Sequence, residues 1–237
     1  MPAAPSNSSA VPASSSLVKK IFDVFACPGE VFDEIVSAPP CFANWLVPTL
    51  LVALTSLILL RALNDGGISV TPTPQAGAAQ HTSFDSAAPQ AEVGSLDSQN
   101  LSVVATCALA FGGTFWSAFL LWFLGRAFLR TRFSYLKTVE VVALTGMIVA
   151  LGAIVTALLI SISGDPATRP ALSFFARHLP AANPVRLFLD TLNFFHLWTI
   201  IVLAIGLSRL SGVTFKESAA CVFGYWLVAR LALILLA

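Results

Sequence analysis

Five long apolar blocks, at 45–63, 101–124, 139–161, 187–207 and 215–236, limit what this chain can become. A segment needs roughly 20 mostly apolar residues to cross about 30 Å of hydrocarbon. Each block meets or nearly meets that length. Lipid offers no partner for a free N–H or C=O, so a block that enters it must be a helix. The expected fold is therefore all-α: a polytopic membrane protein built as a bundle of five transmembrane helices over 41–237. Composition agrees, with 57% hydrophobic and 11% charged residues, against about 45–50% and about 25% in an average soluble chain. A net charge of +1 provides no field to attract nucleic acid.

The flanks and loops are simpler. Residues 1–16, MPAAPSNSSAVPASSS, have neither a basic start nor an apolar core. They read as a disordered cytoplasmic tail rather than a signal peptide. Residues 17–40 predict two short amphipathic helices divided by Pro28. Val18, Ile21, Phe22 and Phe25 recur at helical spacing, and Phe32, Ile35 and Val36 continue the theme. Neither helix can span. Each is expected to lie along the inner membrane surface or to pack beneath the bundle as a cap, and the two roles are compatible. The segment 64–100, rich in Gly, Ser, Ala, Pro and Gln, reads as a flexible outer loop. Thr214 and Glu217 form an S/T-x-x-E capping box for the last helix, and Gly212 marks the end of the one before it.

Basic residues orient the bundle. Threading the five spans puts Lys19, Lys20, Arg126, Arg130, Arg132, Lys137, Arg209 and Lys216 on one side, and Arg61, Arg169, Arg177, Arg186 and Arg230 toward the other. The richer side is expected to be cytoplasmic, which places the N-terminus inside, the C-terminus outside, and the protein in the cell's inner (cytoplasmic) membrane. Lys19, Lys20, Arg126, Arg130, Arg132 and Lys137 are candidate contacts to anionic lipid. Glu140, near the inner end of the third span, sits where the helix dipole favours an anion and close to Lys137. Small residues at Gly112–Gly113, Gly146 with Ala150, and Ala220 with Gly224 suit close helix packing, and Gly112–Gly113 also suits a hinge.

Three polar residues enter the fourth block. Asp190, Asn193 and His196 step by three, so on one helix they span about 120° and share a face. Intramembrane ionisable groups usually point inward. Arg230 lies about 21 Å along the fifth helix from Lys216 at the standard rise, a depth similar to that of the stripe. The expectation is an intramembrane polar network of Asp190, Asn193, His196 and Arg230. Snorkelling of Arg230 to the outer surface is the competing account.

The segments IFDVFACPGEVFDEIVSAPP, FSYLKTVEVVAL, NFFHLWTIIVLAIGL and SGVTFKESAACVFGYW, in that order, resemble the Yip1-domain membrane proteins. The resemblance covers most of 18–237 apart from the long outer loop. It implies five transmembrane helices and a cytoplasmic N-terminus. Eukaryotic members act in membrane traffic and bind small GTPases and partner membrane proteins. The DLYGP-type motif of those members is absent, and CFANWLVP stands in its place, which argues against small-GTPase binding. The compact cytoplasmic region and extended outer loop are more similar to prokaryotic members.

Function follows by weighing classes. HExxH, GxSxG and GxxxxGK[ST] are all absent, as are CxxC and other metal-ligand spacings of the four cysteines. No enzyme activity, metal or cofactor is expected. The favoured reading is a non-catalytic accessory or scaffold for another integral membrane protein, such as a transport or export system, or a role in membrane organisation. Its expected partners are the lipid bilayer and either an integral membrane protein or a second copy. The alternative is a small-solute or ion transporter using the polar stripe of the fourth and fifth helices.

Overall fold

Pro28 at the first position of a helix supplies a preset φ and lacks only an N–H that would have had no partner there. It opens α2 (Pro28–Ser37) directly after α1 (Leu17–Ala26), whose start is capped by Ser16 accepting from the Lys19 N–H. The longer helices are α3 (Ala43–Asp65), α4 (Val93–Ala127), α5 (Tyr135–Ser163), α6 (Phe194–Ser211) and α7 (Phe215–Leu236). The computed structural model describes residues 15–65, 93–165, 168, 170, 189 and 193–236. Among these the architecture is all-helical, with seven helices. Four of them are long and apolar enough to cross a membrane: Ala43–Asn64, Leu101–Ala127, Tyr135–Ser163 and Phe194–Ser211. The fifth expected span corresponds to α7, which is helical over 22 residues.

Among the described helices the boundary differs most from the hydropathy blocks at α4. The fourth helix starts its polar leader at Val93, because a helix can continue past the lipid wherever its own i to i−4 bonds are made. α6 itself begins at Phe194, and of the expected block before it only residues 189 and 193 are described. Asn193 is extended (φ −85°, ψ 136°) and caps α6 through Oδ1, which accepts from the Phe195 N–H at 2.9 Å.

α5 is the axis of the bundle, with α3 lying along it most extensively and α6 and α4 on its other sides. Its buried face runs without a break from Lys137 to Thr145. A lower core joins Val24, Phe32 and Ile35 of α1 and α2 to Val141, Leu144 and Ile148 of α5 and Val202 of α6. The two short helices therefore do pack beneath the bundle. Val18 and Phe22 on α1 remain exposed. A second core joins Ala118 and Leu121 of α4, Val139 and Val142 of α5, Leu207 of α6, and Val222 and Trp226 of α7.

Close approach in these cores needs glycine at two positions. A Cβ on Gly206 would collide with Val141 and sit 3.3 Å from Phe32, and a Cβ on Gly125 would collide with the Phe133 ring. Four threonine hydroxyls inside the bundle are satisfied locally, Thr114, Thr145, Thr156 and Thr199 each donating to the carbonyl four residues earlier, whereas the buried Ser218 hydroxyl has no protein partner among the described residues.

Candidate functional site

All the described basic residues assigned to one side in the sequence do gather at one end of the bundle, where α1, α2, the start of α3, the α4–α5 turn and the α6–α7 turn meet. Contacts establish this end directly. Arg209 of α6 pairs with Asp33 of α2 at 3.2 Å, and Lys137 in the first turn of α5 reaches the end of α2.

At its centre is a buried polar latch. Lys137, 8% exposed, projects Nζ onto Ile35 O and Ala38 O, each at 2.5 Å. Those carbonyls belong to the last turn and the cap of α2, where carbonyls have no partner within the helix. The last turn of α2 has no basic residue of its own, so α5 supplies the cation that the negative end of its dipole favours. Glu140, 1% exposed and one turn further along α5, does the reverse. Its Oε1 accepts from the Cys41 N–H and its Oε2 from Asn44 Nδ2, both at 2.9 Å. Cys41 lies just before α3 and Asn44 in its first turn, at the positive end of that helix. Lys137 Nζ and Glu140 Oε1 are 3.9 Å apart. One ion pair on α5 thus holds the end of α2 and the beginning of α3, on either side of Pro39 and Pro40. Both Glu140 oxygens and the Lys137 ammonium are occupied by protein groups, which makes the latch a structural device rather than an open ligand site.

A second clasp ties α1 to α2. Lys20 Nζ lies 3.2 Å from Glu34 Oε1. Ser15 adds its N–H at 2.7 Å to Oε1 and its hydroxyl at 2.5 Å to Oε2. Burial pushes the Glu34 carboxyl up, but the two Ser15 bonds and the Lys20 charge outweigh it and hold the group below the ordinary glutamate range.

The sequence-derived candidates are distributed as follows. Lys20 and Lys137 are buried and engaged inside the protein. Lys19, Arg126, Arg130 and Arg132 are exposed. Arg126 lies over the Trp122 ring, 4.4 Å from its centre, and Arg130 adopts φ 54° in the turn after α4. Asn193 caps α6, and His196 is on the exposed side of that helix. Asp190 and the Arg230 side chain lie outside the described residues, so the network drawn through them does too. Because Asn193 is extended, helical periodicity does not run from His196 back through it.

Sequence reading gave Glu140 only a dipole and a neighbour, and did not single out Cys41 or Asn44. Their partners are 96 to 99 residues away, and no local pattern reports a contact of that range. The one available signal was a carboxylate next to a lysine at the mouth of an otherwise apolar span.

Among the described residues no group of three His, Cys, Asp or Glu side chains converges as a metal site would require. Neither a curated protein nor a solved structure shows a significant match to the chain. The family model for the Yip1 domain matches residues 22–237, from α1 to the end of α7. With its apolar spans and this near-complete match, the chain belongs to the Yip1 family of membrane proteins.

Proposed function

We propose that this protein is a non-catalytic accessory or scaffold for another integral membrane protein, seated in the cytoplasmic membrane with its latch end inside and its C-terminus outside. The orientation rests on the excess of basic residues at the latch end.

The observation that supports the role is the state of α4. Only 6% of its most apolar window is buried, against 44% for α5. Its exposed surface carries Leu109, Trp116, Phe119 and Phe123, with Trp116, Phe119 and Phe123 stacked in succession. Beside them a Cβ on Gly112 or Gly113 would meet nothing within 4 Å. An aromatic ladder next to a notch of missing side chains is a surface onto which a second transmembrane helix can close, because small residues let helix backbones approach.

Affinity purification of the full chain in mild detergent tests this. A stoichiometric integral membrane partner is expected with the wild type and is lost when Gly112→Leu and Gly113→Leu fill the notch. Retention of the partner by the filled variant defeats the reading. Solute flux through vesicles containing the purified protein alone would put transport in its place.

A further inference from the structure

We infer that the groove between the end of α4 and the first turns of α7 holds an acyl chain of an anionic phospholipid, whose headgroup is met by Arg130, Arg132 and Lys216. The groove has a volume of about 560 Å³, within the range that takes a small ligand. Leu124, Phe128 and Leu129 form its α4 wall, and Ala220, Gly224 and Val228 its α7 wall. Ala220 and Gly224 stand one turn apart and leave the space open: a Cβ built on Gly224 meets nothing within 4 Å.

The occupant follows from position and charge. The α4 wall belongs to a helix long and apolar enough to cross the bilayer, so alkyl chains are the molecules at hand. The groove opens at the basic end of the bundle. Arg130 follows directly on the wall residue Leu129, and Lys216 precedes the wall residue Glu217. Arg130, Arg132 and Lys216 are all exposed, and among the described residues none of them is in an ion pair. The carboxylate of Glu217 is engaged in the cap of α7, its Oε2 accepting from the Thr214 N–H at 3.0 Å and the Thr214 hydroxyl at 2.9 Å, and against the three cations it leaves the mouth net positive. An apolar slot capped by unpaired cations is complementary to a chain bearing an anionic head.

The test is native mass spectrometry of the full chain in nonionic detergent, titrated with phosphatidylglycerol and with phosphatidylcholine of the same chain length. The wild type should retain phosphatidylglycerol in preference, by roughly fivefold per engaged cation. Ala220→Leu with Gly224→Leu should abolish retention of both lipids. Arg130→Gln with Arg132→Gln and Lys216→Gln should keep chain binding and lose the preference. That triple variant changes only exposed side chains and so decides the matter even if the filled variant fails to fold. Equal retention of the two lipids by the wild type overturns the inference. So does undiminished lipid binding in a folded filled variant, or a wild-type dimer that becomes monomeric when the groove is filled. No partner protein enters the measurement, so its outcome is independent of the proposed scaffold role.

Discussion

Lys137 and Glu140 stand one turn apart on α5, 3.9 Å between their charged groups, and each faces the end of a different helix. Lys137 closes the carbonyl end of α2, and Glu140 closes the amide end of α3. The pair therefore fixes where the two short helices stop and where the first span begins. Breaking one partner leaves the other charged and buried, which in comparable sites costs about 3–5 kcal/mol. Glu140→Gln and Lys137→Met should each destabilise by that order, measured by denaturant titration in detergent. The double variant should lose clearly less than the sum. Strict additivity would mean that the two charges do not act as a unit.

What could be read from sequence divides along the range of the interactions involved. Four of the expected spans are legible because each is a consecutive apolar block. The α7 capping box is legible because Thr214 and Glu217 are three residues apart, and their bonds form as expected. Gly212 ends α6 in the left-handed region, φ 69°, as its place after the apolar block suggests. The latch was not legible, since Asn44 and Glu140 are neighbours only after α3 folds against α5. Glycine use was half legible. Gly146 does sit close to Val52 on α3, but Gly112 and Gly113 face open space, while Gly125 and Gly206, which sequence did not single out, sit where a Cβ cannot fit. A small residue in an apolar helix looks the same in every one of these settings.

That contrast predicts opposite outcomes for one substitution. In Gly206→Ala the added methyl meets Val141 and presses on Phe32, both fully buried in the lower core. Overpacking there should cost about 1–3 kcal/mol. In Gly112→Ala the methyl enters open space, and the helix gains about 0.5–1 kcal/mol from reduced backbone entropy loss. Melting temperatures of the two variants in the same detergent should shift in opposite directions. A neutral Gly206→Ala would show that α6 does not approach α5 and α2 so closely.

The α1–α2 clasp should respond to acid. Glu34 is held below its ordinary range in the folded protein, so the unfolded chain takes up a proton first as pH falls. The clasp's contribution is complete above the unfolded value, about 4.3, and disappears as pH drops through the lower folded value. Because the carboxylate is 27% exposed, the contribution is that of a screened pair, about 1 kcal/mol or less. The wild type should be more stable than Glu34→Gln at pH 6, and the gap should close progressively below pH ~4. A gap that persisted unchanged at pH ~3 would separate Glu34 ionisation from the clasp.

Arg130 supplies the last prediction because its backbone and side chain pull in different directions. At φ 54° it occupies the left-handed region, which costs a residue with a Cβ roughly 1–2 kcal/mol. The turn is nevertheless closed there, with the Thr131 N–H bonded to Gly125 O at 3.3 Å and the Phe128 N–H to Leu124 O at 2.9 Å. Glycine meets that geometry without steric strain, although its freer unfolded chain offsets part of the gain. Arg130→Gly should therefore raise stability by up to about 1 kcal/mol, whereas Arg130→Ala, which retains the Cβ, should leave it nearly unchanged. Both variants remove the guanidinium and should weaken anionic-lipid retention equally. Comparing the pair by thermal melting and lipid titration separates the two roles: divergence in stability with matching loss of lipid assigns the strain to the backbone and the binding to the charge. Equal stability of the two variants would show that the left-handed turn exacts no cost at this position.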